Sequence, residues 1–281
     1  MRADLHVHSN ASDGTDPPAE VMRRAALAGL DAVALTDHDT VAGHAQARAA
    51  RPEILTLVPG MELSCRLDGH SLHLLAYLFD PGEPELATQT RRIRDDRELR
   101  ARAMVRLLAD LGVAITWDQV AAIAGPGVVG RPHIARALVA SGAVAEPGQA
   151  FTLDWIGEGG RAYVGRYALD PVRAIALVRA AGGVSVLAHP RAGRDWAVSD
   201  EQIAGLAAAG LAGVEVFHPD QPESQRAGLL GLVRELGLVA TGGSDDHGQL
   251  TGHRIGGETT AADAYDRLVS QATGANPIRR D

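Results

Sequence analysis

The residues able to do chemistry in this sequence are histidines and carboxylates, and they come in clusters. His6-Val7-His8 stands near the start, with Asp13 in the polar loop that follows. Further on come Thr36-Asp37-His38-Asp39, Gly60-Met61-Glu62, His70-Ser71-Leu72-His73, Ala188-His189-Pro190 and Ser244-Asp245-Asp246-His247. In a strand alternate side chains share a face, so His6 and His8 point the same way, about 7 Å apart, and Val7 points the other way. One His-x-His pair is a weak signal; its recurrence beside similar clusters makes a pattern. The convergent set is His6, His8, Asp13, His38, Glu62, His73, His189, Asp245 and His247. Imidazole and carboxylate donors without thiolate suit Zn, Mn or Fe, not Ca or Mg alone. The set exceeds the needs of one ion. Two to three divalent ions a few ångströms apart are implied, with Glu62 as a natural bridge.

Most of these clusters follow short apolar runs. Residues 3–8, 31–35, 54–59, 72–78, 184–188, 213–217 and 238–241 read as strands. Helices are expected over about 17–29, opened by Pro17-Pro18, and over 41–50, 171–181, 199–209, 221–236 and 261–272. This alternation predicts βα units and a parallel-type barrel or sheet of seven strands. In βα barrels the reactive groups sit at the carboxyl ends of strands, where most of these clusters fall. Between Pro81 and Arg161 the strand signal lapses. Residues 85–111 read as one long helix, dense in Arg and interleaved with Asp95, Asp96 and Glu98, which is the pattern of a solvated face with i,i+4 pairs. Shorter helices are expected over 117–124 and 131–141. The fold class is therefore α/β, with a barrel in residues 1–80 and 162–281 and a helical insertion, residues 81–161, as a cap over its open end.

Composition narrows the chemistry. The chain has 281 residues, 46% of them hydrophobic, enough for a sizeable core. A net charge of −8 argues against an extended nucleic-acid surface, though not against a short, locally read nucleotide. There is no lysine, so neither a Schiff base nor a P-loop lysine can operate. Cys65 is the single cysteine, which excludes an internal disulfide and a zinc-thiolate site. No Gly-x-Ser-x-Gly elbow is present. With no charged-then-apolar leader and no stretch approaching a membrane span, a soluble cytoplasmic protein is expected.

His6-x-His8, Thr36-Asp37-His38, Gly60-x-Glu62, His73-x-x-x-Tyr77, Ala188-His189-Pro190 and Ser244-Asp245-x-His247 resemble, in order, the motifs of the PHP (polymerase and histidinol phosphatase) superfamily. The resemblance implies a distorted seven-stranded (β/α)7 barrel and a trinuclear metal centre. By motif, one ion would take His6, His8, Glu62 and Asp245. A second would share Glu62 and take His73 and His189; a third would take Asp13, His38 and His247. Within the family, the helical insertion, the run from Gly130 through Arg131, Pro132 and His133 to Leu138, Ala162-Tyr163-Val164 and Glu215-Val216-Phe217-His218-Pro219 resemble one group more closely. That group removes the 3′-phosphate of nucleoside 3′,5′-bisphosphates or trims short 5′-phosphorylated RNA. It implies a small nucleotide or short RNA as substrate, phosphate as product, and Arg131, His133 and Tyr163 at the substrate. Asp246 stands where many relatives carry an aromatic residue, and Gly165-Arg166 also departs from them, so the roles of Asp246 and Arg166 are open.

The chemistry itself needs no family. A phosphoester requires no protein nucleophile where metal coordination brings water to a hydroxide near neutrality and paired ions clamp attacking and leaving oxygens. Glu62, His189 and His218 are the candidate catalytic groups, His218 as a substrate contact or proton donor. An Arg fork matches phosphate bidentately, which suits Arg131. Asp37 is expected to orient a ligand from behind, Asp39 to cap a helix, and Glu215 to lie behind the ligands. His44, His70 and His253 read as surface or loop residues. Two other classes remain: an amidohydrolase acting on C–N bonds, which here would lack a lysine to carbamylate, and a non-catalytic metal-stabilised module. The intact donor set speaks against the module.

Overall fold

The computed structural model describes residues 1–125, 127–192 and 196–279. Seven strands form one sheet: β1 (Ala3–Val7), β2 (Ala32–Leu35), β3 (Thr56–Leu67), β4 (His70–Tyr77), β5 (Val184–Leu187), β6 (Gly213–Phe217) and β7 (Val239–Gly242), paired in that order. All neighbours are parallel except β3–β4 and β4–β5, which are antiparallel. Beyond β7 the chain returns to β1. Asp245 N donates to His6 O at 2.8 Å, His8 N to Asp246 O at 2.9 Å, and Thr260 N to Ala3 O at 2.7 Å. These bonds bring the sheet close to a closed barrel.

The expected strand–helix alternation fails at β3–β4. Asp68 and Gly69 both have positive φ, 50° and 86°, and Leu67 pairs with His70 across them. Asp-Gly is a strong two-residue hairpin signal, because both turn positions need that backbone region. β3 therefore runs through Glu62 to Leu67, well past the expected end near Pro59. Ser64 pairs with His73, so Glu62, two residues away on the same face, reaches His73 diagonally.

A second irregularity decides which way the first histidines point. Asp4 pairs with Val33 and Val7 with Leu35, three steps on β1 against two on β2. Such a bulge exchanges the two faces of a strand. Before it, Ala3 and Leu5 join the core of Ala32, Ala34, Val58, Leu75, Val186 and Val239. After it, Val7 joins Val33, Leu35 and Leu57 under α1 (Pro18–Leu27) and α2 (His44–Ala50). His6 and His8 are left facing inward. α1 buries Pro18, Val21, Met22 and Ala25, a helical stripe against that outer layer.

The remaining helices are α3 (Pro84–Asp110), α4 (Trp117–Ala124), α5 (Arg131–Ala140), α6 (Pro171–Ala180), α7 (Asp200–Ala208), α8 (Glu223–Glu235) and α9 (Ala262–Val269). The chain divides into two compact units, Met1–Thr90 with Ala168–Asp281, and Arg91–Tyr167. The first turns of α3 thus belong with the barrel. The helical unit has its own core, including Met104, Leu108, Val120, Ile134, Leu138 and Ile156. Its α4 opens on a capping box, Thr116 Oγ1 accepting from Gln119 N and Gln119 Oε1 from Thr116 N. Among the described residues no helix is long and apolar enough to cross a membrane.

Candidate metal centre

Glu62 stands at the middle of the site, buried, with its two oxygens turned to different imidazoles. Oε2 lies 3.3 Å from His6 Nε2, 3.0 Å from His8 Nε2 and 3.2 Å from His38 Nδ1. Oε1 lies 2.7 Å from His73 Nδ1 and 3.3 Å from His189 Nε2. Asp245 Oδ1 is 3.2 Å from His6 Nε2 and 3.3 Å from His8 Nε2, and those two nitrogens are 3.1 Å apart. His6, His8, Glu62 and Asp245 therefore form a quartet, five of whose six atom pairs are 3.0 to 3.3 Å apart. Four N or O ligands placed tetrahedrally about 2.0 Å from an ion have edges of about 3.3 Å. The quartet fits a divalent cation.

A second group adjoins it. Asp13 Oδ1 is 3.3 Å from His247 Nε2 and 3.8 Å from His8 Nδ1, and its Oδ2 is 3.7 Å from His38 Nε2. His8, Asp13, His38 and His247 can converge on one ion, as can His38, Glu62 and His73. His38 Nδ1 is buried and, although 3.2 Å from Glu62 Oε2, makes no aligned hydrogen bond, as suits a nitrogen that faces a ligand. All the donors picked from the sequence thus lie in one continuous constellation. His38 falls between the groups, because either ring nitrogen meets a different carboxylate.

The charges explain what the cluster wants. Burial pushes the Glu62 carboxyl up, but His38, His73 and His6 hold it well below its usual range. Asp13 is held down against burial by His38 and His247, and Asp245 by His6 and His247. Burial lowers His8, yet its bonds to Asp245 and Glu62 push it up to about 10. His38 is pushed down to about 3, mainly by burial, with His8 and His73 adding to the effect against Glu62 and Asp13. Three ionised carboxylates in a buried place demand positive charge, which protons or cations can supply.

Other residues aim the donors. Glu215 on β6 takes His6 Nδ1 at 3.0 Å and accepts from His189 N at 3.0 Å, leaving His6 Nε2 toward the centre. Gly243 passes directly behind: a Cβ there would lie 2.8 Å from His6 N and 2.9 Å from Glu215 Oε1. His189 and Asp245 have φ of 28° and 48°, an uncommon backbone for residues with a side chain and one that collects at functional sites.

Asp37 keeps its expected place behind the ligands: it accepts from Ser9 N, Ser9 Oγ and Ser12 Oγ at 2.7 to 2.8 Å, and Ser12 Oγ in turn meets Asp13 Oδ1 at 3.3 Å. Other sequence expectations change here. Asp39 caps no helix, since α2 begins only at His44. At φ 55° it accepts from Ser64 N and Oγ at 2.8 and 2.7 Å, tying β2's end to β3. His44 is not a loose surface residue: its Nε2 contacts Gly60 O at 2.8 Å and is half-buried. Asp246 turns away from the cluster. It is buried and accepts from Thr251 Oγ1, Arg254 N and Gly248 N, so it organises the loop after β7 rather than a pocket wall. Sequence position alone does not reveal these roles, because each depends on which strand lies alongside.

His218, at the end of β6, is buried with Nε2 3.3 Å from Asp245 Oδ2. Its Nδ1 accepts the Asp220 amide at 3.1 Å, which puts the ring proton on Nε2. A cavity of about 740 Å³ opens here, lined on its polar side by His73, His189, His218 and Asp245. Arg131, His133 and Tyr163 belong to the helical unit. Arg131, at the start of α5, lies 5.6 Å from the Phe151 ring and 6.0 Å from the Tyr163 ring. His133 is buried, and its Nδ1 accepts Gly130 N at 2.9 Å to close the helix start. Arg97 and Arg100 are 7% exposed. Burial pushes Arg100 down to about 9, with Arg166, Arg97 and Arg131 adding their charge, so Arg166 belongs to this cationic group.

Comparison with known proteins agrees with this chemistry. Residues 4–94 match the PHP domain. A 5′-3′ exoribonuclease of Haemophilus influenzae is 35% identical, covering 87% of this chain and 89% of its own. A 3′,5′-nucleoside bisphosphate phosphatase of Chromobacterium violaceum is 34% identical over 91% of this chain and 90% of its own. A solved structure from Bifidobacterium adolescentis, described as a metal-dependent phosphoesterase, superposes with a TM-score of 0.91 at 35% identity, covering 96% of both chains. With such similarity across nearly its whole length, and a buried His and carboxylate cluster able to hold cations, this chain belongs to the PHP family of metal-dependent phosphoesterases.

Proposed function

We propose that the protein removes the 3′-phosphate of nucleoside 3′,5′-bisphosphates and that short 5′-phosphorylated RNA is a second substrate class. The observation that carries the phosphoester chemistry is Glu62, whose two oxygens are shared between imidazole groups beside a cavity large enough for a nucleotide. The nucleotide class is supported by the names of the two relatives and by the cationic group of the helical unit.

In this reading His6, His8, Asp13, His38, Glu62, His73, His189, Asp245 and His247 hold two to three ions of Mn, Fe or Zn. Bound ions supply Lewis-acid polarisation of the phosphoryl group and lower the pKa of water. Glu62 fixes the spacing of the two groups of donors. His218, its proton on Nε2, donates a hydrogen bond toward the phosphoryl or leaving oxygen. Glu215 holds His6 and the backbone of His189 in place. Arg131, with His133 and Tyr163, contacts the phosphate that does not react and contributes remote binding energy. The helical unit, Arg91–Tyr167, which contains all three residues, carries that selection.

Phosphate release from adenosine 3′,5′-bisphosphate, nucleotide release from 5′-phosphorylated oligoribonucleotides and ammonia release from an amide panel test the reading together. The first two are expected, with the bisphosphate favoured. Ammonia without phosphate would overturn it in favour of C–N hydrolysis.

A further inference from the structure

The cavity beside the centre is larger than a phosphoryl group needs, and its lining away from the metal-facing residues changes character. Leu72, Pro190, Trp196, Val198 and Pro222 supply apolar surface there, beside Ser71, Arg191 and Asp220. Trp196 lies between β5 and α7, two residues before Val198, whose N donates to Pro190 O at 3.0 Å. Its indole lies parallel to the His70 imidazole, 6° between planes and 4.8 Å between centroids. His70 sits at the tip of the β3–β4 hairpin, so a strand end backs the loop residue. The chain has three tryptophans. Trp117 and Trp155 pack against the core of the helical unit. Trp196 instead borders open space within the same cavity as His73, His189 and His218.

An indole already stacked on one partner has lost rotational freedom, so a second ring joining it needs little further ordering. Aromatic plates of this kind take nucleobases with little regard to sequence, because every base has a π-face. We infer that Trp196, backed by His70, is the stacking platform for the nucleobase of the substrate, and so a specificity-determining residue on the barrel itself. The inference rests on the nucleotide reading above. It adds that base recognition comes from a ring in the β5–α7 loop. The phosphate to be removed would then lie at the polar end of the cavity and the base at the Trp196 end.

Two substrates separate the possibilities: adenosine 3′,5′-bisphosphate and its abasic counterpart, 1,2-dideoxyribose 3,5-bisphosphate. Trp196→Ala is expected to lower kcat/KM for the nucleoside substrate about 30-fold, the middle of the range for losing one stacked base, and to leave the abasic one within about twofold. Trp196→Phe should restore most of the loss, and His70→Ala should show a smaller loss of the same selectivity. Equal loss on both substrates would make Trp196 a purely structural residue and overturn the inference. Fluorescence provides the readout that does not depend on turnover. Adenosine 5′-monophosphate should quench the parent protein, ribose 5-phosphate should not, and the Trp196→Phe protein should show no quenching. If neither bisphosphate is hydrolysed, the function proposed above fails, and the titration still decides the platform: a base-dependent quench lost in Trp196→Phe supports it, and its absence overturns it.

Discussion

Ala3, Leu5, Ala32, Ala34, Val58, Val186 and Val239 pack with Tyr265 and Leu268 of α9 into an apolar core. A few residues further along the same strands stand His6, His8, Glu62, His189 and Asp245. The first region gains about 25 cal/mol for each Å² of apolar surface removed from water. The second buries ionised carboxylates against imidazoles, an arrangement whose desolvation can exceed its Coulombic gain. The contrast teaches a division of labour within single strands: one end supplies stability, and the other uses it to hold charges that favour a cation. Changes in the two ends should therefore separate activity from stability.

The largest expected effect is at the point where the charged region converges. Glu62→Gln removes the shared carboxylate charge and should lower kcat by at least tenfold and by about 10²-fold in the middle of expectation, measured as phosphate release, in line with losing a preorganised electrostatic group. Parent-like activity would show that Glu62 is not shared by the ions. Next comes Gly243→Ala, whose Cβ would press on His6 and Glu215. Moving a group that orients a ligand weakens metal binding about 10- to 100-fold. Competition with a chelator reads this directly, and an unchanged affinity would mean that the strand yields.

Leu268→Ala sharpens the comparison from the other end. It empties buried volume in the apolar core and should reduce unfolding free energy by about 2–5 kcal/mol in urea titration. The kcat of the folded fraction should stay within about twofold of the parent. A large fall in kcat at full folding would break the division. The smallest effect is expected at Cys65, which is buried on β3. Cys65→Ala should cost about 1 kcal/mol of stability, as a typical point change does, and leave phosphate release nearly unchanged.

The metal-facing end was more legible in the sequence than the geometry that aims it. His6-x-His8 on an alternating strand and His189 and Asp245 just past strand ends followed from strand periodicity and from where barrels keep their chemistry. The β3–β4 hairpin was signalled by Asp68-Gly69 but masked by the rhythm of the flanking βα units. The β1 bulge has no local signature in Leu5-His6-Val7; it appears only when β2 is laid alongside. Asp39 and His44 were misread, and the role of Asp246 stayed open, for the same reason. A short polar side chain near a strand end can cap a helix, tie a neighbouring strand or orient a ligand, and its partners lie far away in the chain: Ser64 for Asp39, Gly60 for His44, Thr251 and Arg254 for Asp246.

The central claim is that the inward ends of the strands exist to hold cations. Elemental analysis of protein prepared without chelator, from growth supplemented in turn with Mn, Fe and Zn, tests it most directly. Two to three ions per chain are predicted for the parent, and fewer for Glu62→Gln. Less than one ion per chain under every supplement, with phosphate release undiminished, would contradict the account.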